Sequence, residues 1–224
     1  MAIASEKKIN FRFDILPQAA KKALDFLSGQ NWLKNSVWYL AGGTALALQV
    51  GHRRSFDLDF FSQEKNIENE DILREFSGVK GWNVNLDRKN TIYGELFKAK
   101  ISFIAYPFFI PKHKPQTYGF IRILSPSDID VMKVVAISQR GRKRDFFDLY
   151  WCAKNIESLE DIIKRLKIQY PSIAHNYHHI LKSLVYFEDA ESDPEPKIYF
   201  NADWKKVKEY FVKEIPVIAD KLIR

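Results

Sequence analysis

One stretch constrains this chain more than any other: WYLAGGTALALQVGHRRSFDLDFF, from Trp38 to Phe61. It reads as a strand, a tight glycine turn, a short helix opening at Thr44 and a second strand carrying two carboxylates. In FDLDF the alternation sends Phe56, Leu58 and Phe60 to one face and Asp57 and Asp59 to the other. Acids at i and i+2 on a strand lie about 6 to 7 Å apart. Their repulsion disfavours double ionisation unless a cation sits between them.

Hard oxygen ligands on a rigid strand suit Mg2+, or the similar Mn2+. Upstream, Gly42 and Gly43 allow a close backbone approach that a side chain would block, and the helix opening behind them aims unpaired N–H groups at an anion. The expectation is a phosphate cradle of Gly42, Gly43 and Thr44 facing a metal clamp of Asp57 and Asp59.

The pattern GGTALAL followed by GHRxSxDLDFF resembles the first motif of the AbiEii/AbiGii-type nucleotidyltransferase toxins, within the DNA polymerase β-like nucleotidyltransferase superfamily. Arg53 and Ser55 stand at that family's R-x-S positions. A later stretch is similar to its second motif, with Lys133, Ala136, Arg140, Arg144, Asp145 and Asp148 at the matching positions and arginine at 144 where lysine is usual. The resemblance implies that Lys133 meets the triphosphate and that Arg144, Asp145 and Asp148 order the site from the helical side. It also implies an NTP substrate, an acceptor that in some relatives is tRNA, and a separately encoded antitoxin as partner. Such enzymes usually carry a third carboxylate on the strand beside the acid pair, and in KISFI the corresponding residue is Ser102. If a hairpin turned at Lys98 and Ala99, Glu95 would lie across from Ser102 and supply that charge.

The rest of the chain is consistent with an α/β (α+β) fold: a mixed sheet flanked by helices in residues 1–124, then a helical region in 125–224. LPQAAKKALDFLSG predicts a first helix between Pro17 and Gly29. Asn69–Phe76 predicts a short helix, the stretch from Trp82 to Phe109 two or three antiparallel strands, and YGFIRIL another strand. Between these lies a basic, proline-punctuated loop, PFFIPKHKPQ. In SPSD, Ser125 and Asp128 form a capping-box pattern ahead of a helix to about Gln139, with Ile129, Met132, Val135 and Ala136 as its buried face. On the next helix Arg144 can pair with Asp148 at i, i+4. Pro171 is expected to open a helix, and Pro216 to break or kink the last one. His175, His178 and His179 have zinc-like spacing but no neighbouring cysteine to complete a set.

A net charge of +7 suits a polyanionic substrate. A single cysteine excludes an internal disulfide and fits a reducing compartment. No apolar run approaches the roughly 18 residues of a membrane span, and MAIASEKKINF lacks a signal-peptide core. The expectation is a cytoplasmic nucleotidyltransferase with no membrane partner. Two rival readings are a nucleotide-binding protein that lost turnover with the third acid at Ser102, and an interaction protein using only the scaffold, which would bind no NTP with Mg2+.

Overall fold

The computed structural model describes residues 10–223; residues 1–9, on which most of the N-terminal reading rests, lie outside them. Helix α1 (Gln18–Ser28) runs between Pro17 and Gly29 as the pattern predicts, with Ala20, Ala23, Leu24 and Leu27 buried. Strand β1 (Tyr39–Ala41) leads into α2 (Gly42–Val50), which starts at Gly42, ahead of the expected Thr44, and ends where Gly51 turns left-handed at φ 66°.

Strand β2 (Leu58–Ser62) returns beside β1. It begins one residue after Asp57, because the Asp57 carbonyl accepts from the Thr44 hydroxyl. Phe56 therefore does not share a buried face with Leu58 and Phe60; it is 55% exposed, under the Arg54 guanidinium. After α3 (Asn69–Glu75) come β3 (Trp82–Arg88), β4 (Thr91–Leu96) and β5 (Ala99–Ala105), an antiparallel meander.

The β4–β5 turn corrects the expected register. It is made by Phe97 and Lys98, at φ 53° and 72°, so Leu96 faces Ala99, Glu95 faces Lys100, and Tyr93 faces Ser102. Positive φ at both central residues matches the twist of a two-residue hairpin. Its cost for non-glycine residues is offset by packing: the Phe97 ring meets Phe26 edge-on at 5.4 Å, and the Lys22 amine lies 4.5 Å from the Phe97 ring centre.

YGFIRIL is likewise not one strand but a bend between β6 (Gln116–Tyr118) and β7 (Ile121–Ile123). Gly119 makes this bend at φ 56°, and a Cβ there would stand 2.2 Å from the Ser28 carbonyl oxygen. The seven strands form one sheet in the order β3-β4-β5-β2-β1-β7-β6. The pairs β2–β5 and β1–β7 are parallel, and β1–β2 antiparallel.

Helix α4 (Pro126–Arg140) is capped by Ser125, whose hydroxyl accepts from the Asp128 N–H, and it ends at a left-handed Gly141. The Asp128 carboxylate does not complete the box. It accepts instead from the backbone N–H groups of Lys112 and His113 and from Gln169 Nε2, pinning the proline-punctuated loop to the helix start. The buried side of α4 is Ile129, Val131, Val134 and Ile137 together with Lys133; Met132, Val135 and Ala136 are only half-buried.

Helix α5 (Lys143–Asn155) follows, then the short α6 (Leu159–Lys164) and α7 (Leu166–Gln169). Helix α8 (Tyr177–Ser183) starts from an Asn176 cap that accepts from the His179 N–H, and not at Pro171. After α9 (Glu188–Glu191), the long α10 (Trp204–Leu222) continues through Pro216 instead of stopping there, held by buried Ile215 and Ile218 on either side. Helices α4 and α5 pack on each other and on α2, which sets their cavity-facing residues opposite the glycine turn.

Candidate active site

The glycine turn and the paired acids border the same hollow, a cavity of about 380 Å³. Gly42, Gly43 and Thr44 line one wall, Asp57 and Asp59 the floor, and Lys133, Arg140, Arg144 and Asp145 the helical side. Both glycines are required by contact. Gly42 has φ 69°, and a Cβ there would lie 3.1 Å from Asp59 Oδ2; a Cβ on Gly43 would lie 2.1 Å from Arg53 Nη2.

Thr44 is buried, and its hydroxyl is occupied: it donates to the Asp57 carbonyl and shares a 2.8 Å hydrogen bond with Ser55. That pair fixes the approach to β2 and so places Asp57. The Asp57 side chain remains one-third exposed, with Arg144 Nη1 3.5 Å from its Oδ2. Asp59 stands between Ala41 on β1 and Ser102 on β5, and the Ser102 hydroxyl donates to Asp59 Oδ1 at 2.7 Å. Burial pushes the Asp59 carboxyl above its usual range; the Ser102 hydrogen bond works against this, and the charge of Asp57 adds to it. Glu95 faces Lys100 and does not line the cavity, so the residue opposite Asp59 on the neighbouring strand is a serine with no carboxylate across from it.

Behind this floor lies a buried charge network. Lys133 Nζ bonds Asp145 Oδ1 at 2.7 Å and Asp148 Oδ2 at 2.6 Å, with only 6% of the lysine side chain exposed. Arg53 grips Asp148 with both Nε and Nη2, the latter at 2.8 Å, and His52 Nε2 lies 2.6 Å from Asp148 Oδ1. Arg140 Nη2 reaches Asp145 Oδ2 at 3.3 Å. The expected Arg144–Asp148 pair is absent from the ion pairs of the described residues: Arg144 leans over Asp57, while Asp148 points inward to Arg53, Lys133 and His52. Burial opposes ionisation of Asp148, but the adjacent Arg53 and Lys133 outweigh it and hold its carboxyl well below the usual range. Burial pushes the His52 imidazole below its ordinary range, with the hydrogen bond and charge of Asp148 working against it.

A family model described as the nucleotidyl transferase AbiEii toxin of a type IV toxin–antitoxin system matches residues 25–91 and 95–222. The chain belongs to the AbiEii nucleotidyltransferase toxin family. An uncharacterized protein of Aquifex aeolicus, aq_aa25, is 37% identical over 184 residues, which is 80% of this chain and 86% of that protein. Among solved structures, the MenT4 nucleotidyltransferase toxin of Mycobacterium tuberculosis is similar in fold, with a TM-score of 0.56 and 15% identity over 91% of this chain and 86% of that one. JHP933 of Helicobacter pylori has a TM-score of 0.53 and 21% identity, covering 92% and 94% of the two chains.

In this AbiEii-family chain several cavity residues escaped the sequence reading. His52, which meets Asp148 behind the cavity and does not line it, carries no spacing signal of its own. Lys100 and Ile104 line the cavity because they share a strand face with Ser102, a relation the period of two could have revealed. Tyr93 and Asn85 enter through the corrected register of β4 and an irregularity in β3. The histidines at the start of α8 and just before it do not converge: His175 meets the Tyr170 carbonyl and His179 that of Ser138, and no group of three metal-ligating side chains exists among the described residues. Among those residues, too, no helix is long and apolar enough to cross a membrane.

Proposed function

We propose that this protein transfers a nucleoside monophosphate from an NTP to an acceptor hydroxyl, releasing pyrophosphate. The observation that carries the reading is the single cavity shared by Gly42, Gly43, Asp57, Asp59 and Lys133. Asp57 and Asp59 are the residues to hold a divalent cation, Mg2+ or Mn2+. The donor set fits: two carboxylates and the Ser102 hydroxyl are hard oxygens, and burial next to Asp57 leaves Asp59 in need of a positive neighbour. A cation bound there would supply charge stabilisation on the phosphate oxygens and activate the acceptor.

The protein's own residues account for the rest. Gly42 and Gly43 line the cavity at the start of α2, where a helix N-terminus favours an anionic group such as phosphate. Thr44 and Ser55 keep Asp57 in place, and Arg53 acts through Asp148 to hold the helical wall against the sheet. Lys133, Arg53 and Arg140 set three positive charges against the two of Asp145 and Asp148, a surplus that favours the charge developing on leaving pyrophosphate. Arg144 covers Asp57 from the solvent side.

An RNA acceptor, tRNA in particular, accords with the basic balance of +7, and a separately encoded antitoxin with the family. The setting is the cytoplasm. Ser102 supports a second reading, a nucleotide-binding protein of impaired turnover, because a hydroxyl neither takes a proton nor neutralises a cation as a carboxylate does. Each labelled NTP is incubated with Mg2+ or Mn2+ and total tRNA, using wild type and Asp57→Ala. Label transfer by wild type alone supports the transferase. Metal-dependent NTP binding without transfer supports the second reading, and neither binding nor transfer rejects both.

A further inference from the structure

The cavity does not end at the acids. Beyond Asp59 it runs across the sheet to Tyr93 on β4 and Asn85 on β3. Register puts these residues on one row: Asp59 faces Ser102, Ser102 faces Tyr93, and Tyr93 faces Leu86. Neighbouring strands are about 4.8 Å apart, which sets Tyr93 about 10 Å from Asp59. Asn85 falls where the β3 pairing slips between Val84 and Leu86, so it has no partner on β4, and such a bulge re-aims its side chain. Tyr93 is 43% exposed, and Lys100 also lines the cavity.

We infer that this shelf docks the acceptor as a single-stranded nucleic acid, with Tyr93 stacking a base and the Asn85 amide meeting that base's edge; the inference rests on the transferase reading above. Three observations carry it. First, phosphoryl transfer aligns the attacking and leaving oxygens on opposite sides of the phosphorus. With the leaving pyrophosphate at Gly42, Gly43 and Lys133, the attacking hydroxyl comes from the opposite side of Asp59, which is the β5–β4 side. Second, an open aromatic face beside an amide is the chemistry that holds unpaired bases, while Lys100, with Glu95 across the ladder from it, stands farther along the same face. Third, the shelf is continuous with the cavity, so an acceptor end lying on it reaches the acids without rearrangement of the sheet. Tyr93 falls in the short interval between the two segments that the family model matches.

The test uses the full chain as wild type, Tyr93→Phe and Tyr93→Ala. Because the ring is half-exposed, its removal leaves the core intact, and thermal melts verify this. Anisotropy of a labelled single-stranded oligoribonucleotide is read alongside NTP binding by calorimetry. Loss of the ring should weaken RNA binding about tenfold or more, with Tyr93→Phe close to wild type and NTP affinity unchanged. In transfer assays the KM for RNA should rise while kcat at saturation holds. Equal RNA binding by wild type and Tyr93→Ala overturns the inference, as does a loss of NTP affinity in Tyr93→Ala without RNA, which would assign the ring to the NTP base. Transfer to a protein hydroxyl but not to RNA overturns it as well. If RNA binding depends on Tyr93 but wild type and Asp57→Ala are equally inactive with every NTP, the transferase reading fails while the docking site stands.

Discussion

Ser102 stands directly across the parallel β2–β5 ladder from Asp59 and donates a 2.7 Å hydrogen bond to its carboxylate. The serine is 2% exposed, so it holds the acid in one orientation and screens it from water. Replacing it with a carboxylate makes a direct prediction. Ser102→Asp sets two buried acids side by side, and without a cation this should cost about 3 to 5 kcal/mol, the scale of an uncompensated buried charge. Millimolar Mn2+ should restore most of the lost melting temperature. A variant equally unstable with and without Mn2+ would count against a cation at Asp57 and Asp59.

Gly43→Ala should be more damaging than Gly42→Ala. The methyl at 43 meets Arg53 Nη2 at 2.1 Å and drives the guanidinium off Asp148, whereas at 42 it meets Asp59 Oδ2 at 3.1 Å under a positive φ. The left-handed backbone alone costs about 1 to 2 kcal/mol at 42, and displacement of a buried ion pair about 3 to 5 kcal/mol at 43. Urea unfolding of both variants gives the order, and the reverse order would mean that Arg53 is free to move.

Thr44→Val keeps the volume but removes the hydroxyl that ties Asp57 and Ser55 to α2. A loss of about 1 to 3 kcal/mol is expected, since the partners are left buried, and Thr44→Ser should recover most of it. The same variants report on function: if Thr44 acts by placing Asp57, metal affinity falls with Val and returns with Ser.

Acid sensitivity follows from His52 and Asp148. The buried imidazole of His52 titrates below its ordinary 6.5, so the unfolded chain takes up a proton first and stability falls as pH drops below about 6.5. Asp148 is also depressed, from 3.8, so its contribution is complete above that value and is lost as pH falls through its folded range. Melting temperature should therefore decline in two stages. His52→Gln should flatten the first, below pH 6.5, and leave the second; an unchanged profile would show that other groups dominate.

The parts of this molecule legible from sequence were those written in local patterns. The alternation of Leu58, Asp59 and Phe60, the glycine pair and the Ser125–Pro126 helix start each act within a few residues and are found in the fold, whereas Phe56, just outside the strand, departs from the pattern. What stayed hidden depends on distant partners. Phe97 adopts a left-handed turn with its ring held by Phe26 and Lys22 and its N–H by the Gly81 carbonyl, and that turn sets Glu95 across from Lys100 and not Ser102. Asp128 looked like half of a capping box, yet its carboxylate serves a loop whose position no helix rule specifies. Arg144 and Asp148 had the right spacing for each other, but a fully buried acid is claimed by Arg53 and Lys133 before a half-exposed neighbour.

The backbone around Arg53 is braced from far along the chain: the Arg54 N–H donates to the Lys197 carbonyl and the Tyr199 N–H to that of His52, each at 2.8 Å, with Arg53 bridged to Ile198. On the ribosome, the segment leading to Asp57 thus waits for its clamp until position 199 has emerged. A translation product cut short before Lys197 carries every recognisable motif yet lacks the brace that sets them in register. For a chain of the AbiEii family, the loop leading to Asp57 is in this way fastened only when the Lys197–Tyr199 segment is available to it.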